Sequence, residues 1–156
     1  MAKVIKAPKP YSYDPYLKFV FLGGSIEMGA AENWQDKFEK DFKDEEDVVF
    51  LNPRRDDWNS DWKQIPEPGT DFYAQVDWEL NAQERSDIIV YYFDSNTKSP
   101  ITLLELGLFG IHNNVIVRCA PDFYRYGNVK MVCDRYEIPI VHTYKELVQR
   151  LKEELE

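Results

Sequence analysis

Five short apolar runs alternate with five segments of helical periodicity along this chain, and that alternation limits its fold more than any other feature. The runs are residues 18–24, ending in Gly23-Gly24, then 48–51, 87–93, 115–119 and 139–141. Between and after them, helices are expected over 31–42, 71–86, 99–111, 128–136 and 144–156. In the first, Trp34, Phe38 and Phe42 recur at helical spacing; in the second, Phe72, Val76 and Leu80, joined by Tyr73 and Trp78, form the expected packing face. Ser99-Pro100 reads as a capping residue followed by proline at the first helical position. The run Asp87-Ile-Ile-Val-Tyr-Tyr-Phe93 is apolar almost throughout, as a central parallel strand must be. The alternation predicts an α/β domain: a doubly wound, mostly parallel five-stranded sheet with helices on both faces, in the flavodoxin-like or Rossmann-like manner.

Residues 1–16 carry three of the nine prolines and read as an N-terminal arm, leaving 17–156 as a single domain. A chain of 156 residues buries roughly 70% of its unfolded surface and needs no covalent staples. Its 19 Lys+Arg against 28 Asp+Glu give a net charge of −9, which argues against a nucleic-acid polymer as partner, since phosphate backbones demand a basic footprint. No apolar stretch approaches the ~20 residues that span a membrane, and the opening residues lack the apolar core of a signal peptide. The two cysteines, Cys119 and Cys133, lack CxxC spacing and read as buried thiols of a reducing compartment, so a cytoplasmic protein is expected.

Sheets of this kind bind ligands beyond the carboxyl ends of their strands, which draws attention to loops 23–30, 52–69, 94–99 and 120–127. Gly23-Gly24-Ser25-Ile-Glu-Met28-Gly reads equally as a tight strand–helix turn or as a loop that admits a ligand to the backbone. Glu105 has apolar neighbours on both sides early in a helix; it is either the polar edge of that helix or a buried carboxylate kept for chemistry. Glu79, beside Asp77 on the preceding helix, is an exposed glutamate or the second carboxylate of a glycosidic pair. Arg54 and Trp58 are placed to bond and stack on a base, or belong to a solvated charged loop. Asn128 either caps a helix or contributes its amide to a site. His112 and His142 stand apart, without ligand spacing, so no metal is expected.

Phe21-Leu-Gly-Gly-Ser25, Asn52-Pro-Arg-Arg-Asp-Asp-Trp58, Trp78-Glu-Leu-Asn81, Leu103-Leu-Glu-Leu-Gly107 and Tyr124-Arg-Tyr-Gly-Asn-Val129, in that order, resemble the nucleoside 2-deoxyribosyltransferase family, most closely its second, bacterial and phage-type branch. The resemblance implies exchange of the base of a 2′-deoxyribonucleoside for a free base, a place in nucleotide salvage, and no cofactor. It gives Glu105 the role of nucleophile and Glu79 that of proton donor to the leaving base. Asn128 would be contributed by a neighbouring subunit, so a homo-oligomer with a shared site is implied. Arg54 would lie against the base, and Gly23, Gly24, Ser25 and Met28 would wall the substrate. Six residues before the nucleophile many transferases carry an aspartate; here it is Ser99. Related N-glycosidases, which hydrolyse deoxynucleoside 5′-monophosphates, use a serine there to bind phosphate. Pro100 is unusual for both groups. Transferase, hydrolase and a non-catalytic nucleotide-binding module on the same fold therefore stay open.

Overall fold

A computed structural model describes residues 1–25, 33–55 and 62–156. Its described elements run β1 (Lys3–Lys6), β2 (Lys18–Gly24), α1 (Trp34–Asp41), β3 (Val48–Asn52), α2 (Asp71–Arg85), β4 (Ile88–Phe93), α3 (Pro100–Phe109), β5 (Val115–Cys119), α4 (Tyr126–Arg135), β6 (Ile140–Val141) and α5 (Tyr144–Leu155). The strands form a sheet in the order β1-β3-β2-β4-β5-β6, and every pairing in it is parallel. The doubly wound α/β architecture is the expected one. The strand number is corrected from five to six, because Lys3–Lys6 of the supposed arm pairs with β3, Lys3 opposite Val49 and Lys6 opposite Asn52. Two lysines bracketing two β-branched residues suit an edge strand, where charge discourages further pairing.

Successive strand residues point to opposite faces, so each strand feeds two cores. Phe19 and Phe21 of β2 join Ile89, Tyr91 and Phe93 of β4 beneath α2, α3 and α4, where Trp78, Ala82, Leu106, Phe109, Val129 and Cys133 cover them. Val20 and Leu22 join Phe50, Val90, Tyr92 and Ile116 beneath α1 and α5, covered by Trp34, Phe38, Leu147 and Leu151. Strand β4, buried at all six positions, occupies the middle of the sheet. The order reverses between β2 and β4: the chain leaves β2 toward β3 on one side and returns to β4 on the other. Their carboxyl ends open the crevice where such sheets bind ligands. Among the described residues no helix is long and apolar enough to cross a membrane.

Local chemistry sets the helix starts. Thr70 caps α2 by accepting from the Tyr73 N–H, and Thr143 caps α5 by accepting from Glu146 N–H, each at 3.1 Å. Pro100 stands in the first turn of α3 as expected, but Ser99 does not cap through its side chain. It adopts a left-handed conformation (φ 48°) and its hydroxyl turns instead to Thr97 Oγ1, 2.6 Å away. Helix α4 begins at Tyr126, so Asn128 lies within its first turn and caps nothing.

Candidate active site

Glu105 occupies the second turn of α3 and is buried, 7% exposed. Of its two sequence readings, the structure shows the buried one. Its carboxylate does not stand unanswered. Oε2 accepts a 2.5 Å hydrogen bond from Nε2 of Gln83, a wholly buried residue of α2. The same Nε2 donates to the Glu79 backbone carbonyl at 3.1 Å, and Gln83 Oε1 accepts from the Tyr91 hydroxyl at 2.6 Å. Tyr91, on β4 beneath these helices, also reaches the Glu105 carbonyl oxygen at 3.3 Å. A three-residue polar network is thus sealed between α2, α3 and the central strand, where low dielectric strengthens each bond.

Glu79 stands one turn before Gln83 on α2 and is half-buried. Burial first, then the charge of Glu105, pushes its carboxyl up to about 8, with the Gln75 amide opposing the shift. Burial also raises Glu105, and the Gln83 hydrogen bond works against that rise. The two carboxyls sense one another: burial disfavours the charged form of each, the Glu105 charge adds to that effect at Glu79, and a glutamine amide opposes it at each, Gln75 at Glu79 and Gln83 at Glu105. Such a pair can deliver a proton and a nucleophile to one small molecule.

The frame around the pair is tied down from several sides. Gln75 Nε2 donates to the Pro53 carbonyl at 2.9 Å, fixing α2 to the end of β3. Asp94 Oδ1 accepts from Asn96 N–H at 2.9 Å and Thr97 Oγ1 bonds the Asp94 carbonyl at 2.9 Å, which sets the loop from which α3 departs. Gly23 and Gly24 are required by close packing at the end of β2: a Cβ on Gly23 would lie 2.8 Å from the Tyr91 ring, and one on Gly24 2.8 Å from Trp34 Nε1. Ser25 follows them, half-buried. Ser99 is wholly buried, with its hydroxyl engaged by Thr97.

Other expected residues stand outside this hydrogen-bond network. Arg54 sits beyond β3 with a guanidinium 3.3 Å from Gln35 Oε1, and burial lowers its pKa. With Lys6, Arg55, Asn33, Asp36 and Asn52 it lines a polar cavity of about 80 Å³ at the carboxyl ends of β1 and β3. Asn128 is exposed on α4, outside the buried network of its own chain. Met28 and Trp58 fall outside the described residues. Among those described, no cluster of three or more His, Cys, Asp or Glu could hold a metal ion. Cys119 and Cys133 are buried thiols, each pushed up to about 12 chiefly by burial.

Gln75, Gln83 and Tyr91 escape a sequence reading that looks for apolar faces. The buried positions of α2 are Gln75, Trp78, Ala82 and Gln83, whereas Phe72, Val76 and Leu80 are only half-buried, which corrects the expected packing face. The overlooked signal is the i, i+4, i+8 spacing of Gln75, Glu79 and Gln83, a polar stripe of which the two glutamines are buried and the glutamate half-buried.

Residues 18–123 match the family model described as nucleoside 2-deoxyribosyltransferase like. No curated protein matches the chain significantly. Among solved structures, a conserved protein from Enterococcus faecalis V583 superposes with a TM-score of 0.60 at 13% identity, covering 88% of this chain and 99% of that one. At that identity the likeness bears on the fold alone.

Proposed function

Because the chain belongs to the nucleoside 2-deoxyribosyltransferase-like family, we propose that it moves 2-deoxyribose from one nucleobase to another by double displacement. The family supports an enzyme acting on nucleosides and bases; the observation that carries the finer reading is the buried Glu105 carboxylate held by the Gln83 amide, with Glu79, whose carboxyl is pushed up to about 8, on the adjoining helix.

In the first half-reaction a Glu105 carboxylate oxygen forms a bond to C1′ while the glycosidic C1′–N bond breaks. The electron pair leaves with the base, which takes its proton from the Glu79 carboxyl. In the second, the incoming base attacks C1′, the ester C–O bond breaks back to the Glu105 carboxylate, and the proton displaced from the base returns to Glu79. Two inversions retain configuration. Gly23, Gly24, Ser25 and Met28 would wall the substrate, Arg54 and Trp58 would meet the base, and Asn128 would come from a neighbouring copy. That last assignment fits a side chain exposed on α4.

Incubation with 2′-deoxyinosine and free adenine or cytosine, followed by chromatography, tests the reading. New deoxyadenosine or deoxycytidine, absent with Glu105→Ala, is expected; a Glu105→Ala enzyme that still exchanges bases removes Glu105 from the role. A second reading, hydrolysis of deoxynucleoside 5′-monophosphates, is favoured by the polar cavity in whose lining Lys6, Arg54 and Arg55 outnumber the one carboxylate, Asp36. It predicts free base and sugar phosphate without a new nucleoside. Binding without any turnover would instead indicate a nucleotide-binding module. Ser99, wholly buried and bonded to Thr97, offers the phosphate less than that cavity does.

A further inference from the structure

We infer that Gln83 is a positioning residue for Glu105: clamped by Tyr91 and by the Glu79 carbonyl, it presents only an N–H to one carboxylate oxygen and leaves the other for the substrate carbon. The inference rests on the proposed role of Glu105 and adds to it the device that readies that carboxylate.

The argument begins with which way the amide can face. Its two terminal atoms meet three partners: the Glu79 backbone carbonyl, the Glu105 carboxylate and the Tyr91 hydroxyl. A carbonyl oxygen only accepts, so it demands Nε2 on its side, and the Glu105 carboxylate lies on that same side at 2.5 Å. Turning the amide over would set Oε1 against two acceptors at once, the Glu79 carbonyl oxygen and the Glu105 carboxylate, and would lose both of those bonds in a buried site. The tyrosine hydroxyl then completes the set by donating to Oε1 at 2.6 Å. Both N–H groups and the amide oxygen of Gln83 are therefore engaged, and the side chain has no second arrangement that keeps its bonds.

A donor fixed in this way discriminates between protonation states. It bonds an ionised carboxylate oxygen well and gives nothing to a proton on the same oxygen. The titratable groups that face Glu105 among the described residues are Glu79 from α2 and Tyr91 from β4, each disfavoured in its charged form by the Glu105 charge. Neither supplies positive charge, so the Gln83 N–H is the described group that answers the carboxylate. Tyr91 reaches its position because residue 23 is glycine, whose missing Cβ makes room for the ring.

The experiment replaces Gln83 by Met, which keeps length and bulk but donates nothing, and separately Tyr91 by Phe, which frees one end of the clamp. Carbon-13 NMR of glutamate-labelled protein, with Glu105→Gln identifying its carboxyl resonance, follows Glu105 directly. Glu105 in Gln83→Met is expected to titrate at least about one pH unit higher than in the parent. With substrate, kcat falls about tenfold or more while KM stays within about threefold, and the acid limb of the kcat–pH profile moves upward. Tyr91→Phe shifts both in the same direction by less, and it carries the test if Gln83→Met does not fold. A merely structural role would lower thermal stability without moving the titration. An unmoved Glu105 midpoint in a folded Gln83→Met or Tyr91→Phe protein overturns the inference. Because the titration needs no turnover, a Glu105 that responds to Gln83 in a protein without base exchange would sink the transfer reading and leave the clamp standing.

Discussion

A carboxyl that keeps its proton near neutrality is an unusual thing for a protein to bury, and Glu79 is one. Its protons are released at about 8, against 4.5 for an ordinary glutamate, because burial and the Glu105 charge both disfavour its ionised form. Two consequences follow with the same sign. As a proton donor Glu79 must be protonated to act, so the exchange rate should fall as pH rises through about 8. Glu79→Gln should lose that alkaline limb together with about a hundredfold or more of the rate. In stability, the folded chain holds a proton that the unfolded chain gives up above 4.5, so stability should decline as pH climbs from there toward 8. Thermal unfolding of the parent and of Glu79→Gln over that range reads this: the parent's melting point should drop more steeply with pH. Parallel curves would place the raised carboxyl elsewhere. At this scale the sequence is partly legible. Glu105 and Glu79 stand in recognisable motifs, but Gln83 and Tyr91 do not, because a buried glutamine and a strand tyrosine look like surface and core until their partners are known.

Elements here are placed by polar ties as much as by apolar contact. Helix α2 carries both Glu79 and Gln83, and it is held by Gln75 to the Pro53 carbonyl and by the Trp78 indole N–H to the Lys9 carbonyl at 2.8 Å. Lys9 belongs to the segment that reads from sequence as an N-terminal arm, yet that segment adds a strand to the sheet and then lays Tyr11 against Phe19 and Trp78. Its role was hidden because four residues of edge strand, followed by prolines, carry almost no periodicity. The longer alternation of strands and helices was plain, since each buried strand is a continuous apolar run. The N-terminal segment therefore supports the helix that bears the site. Trp78→Phe, which keeps an aromatic ring but loses the pyrrole half of the indole with its N–H, should destabilise the protein by about 2 kcal/mol or more, about 1 kcal/mol of it because the Lys9 carbonyl is left unanswered. The loss should appear in urea unfolding, and it should shrink by about 1 kcal/mol if residues 1–13 are deleted first. A full effect in the truncated chain would mean that the Lys9 bond is not what the indole contributes.

The whole molecule carries a net charge of −9, yet one side of it is strongly apolar. On α3, Ile101, Leu104 and Leu108 follow one another along the helix, exposed by 60%, 66% and 56%, and Ile111 in the turn just after it is 57% exposed. On α4, Met131 is 71% exposed and Tyr124, just before that helix, 51%. An apolar stripe on a helix whose opposite side holds Glu105 suits contact with another copy of the chain, as the proposed sharing of Asn128 requires. The proposal that Asn128 serves its neighbour's site makes a prediction that no single-chain arrangement can imitate. Glu105→Ala and Asn128→Ala should each be nearly inactive. Mixed, dissociated and reassembled, they should recover about a quarter of the parental rate: half the dimers are mixed, and each of these has one site with both residues intact. The rate should rise from zero as subunits exchange, at a pace set by dissociation. Were Asn128 to act on the Glu105 of its own chain, every site in the mixture would lack one residue, and no activity would return however long the subunits were mixed.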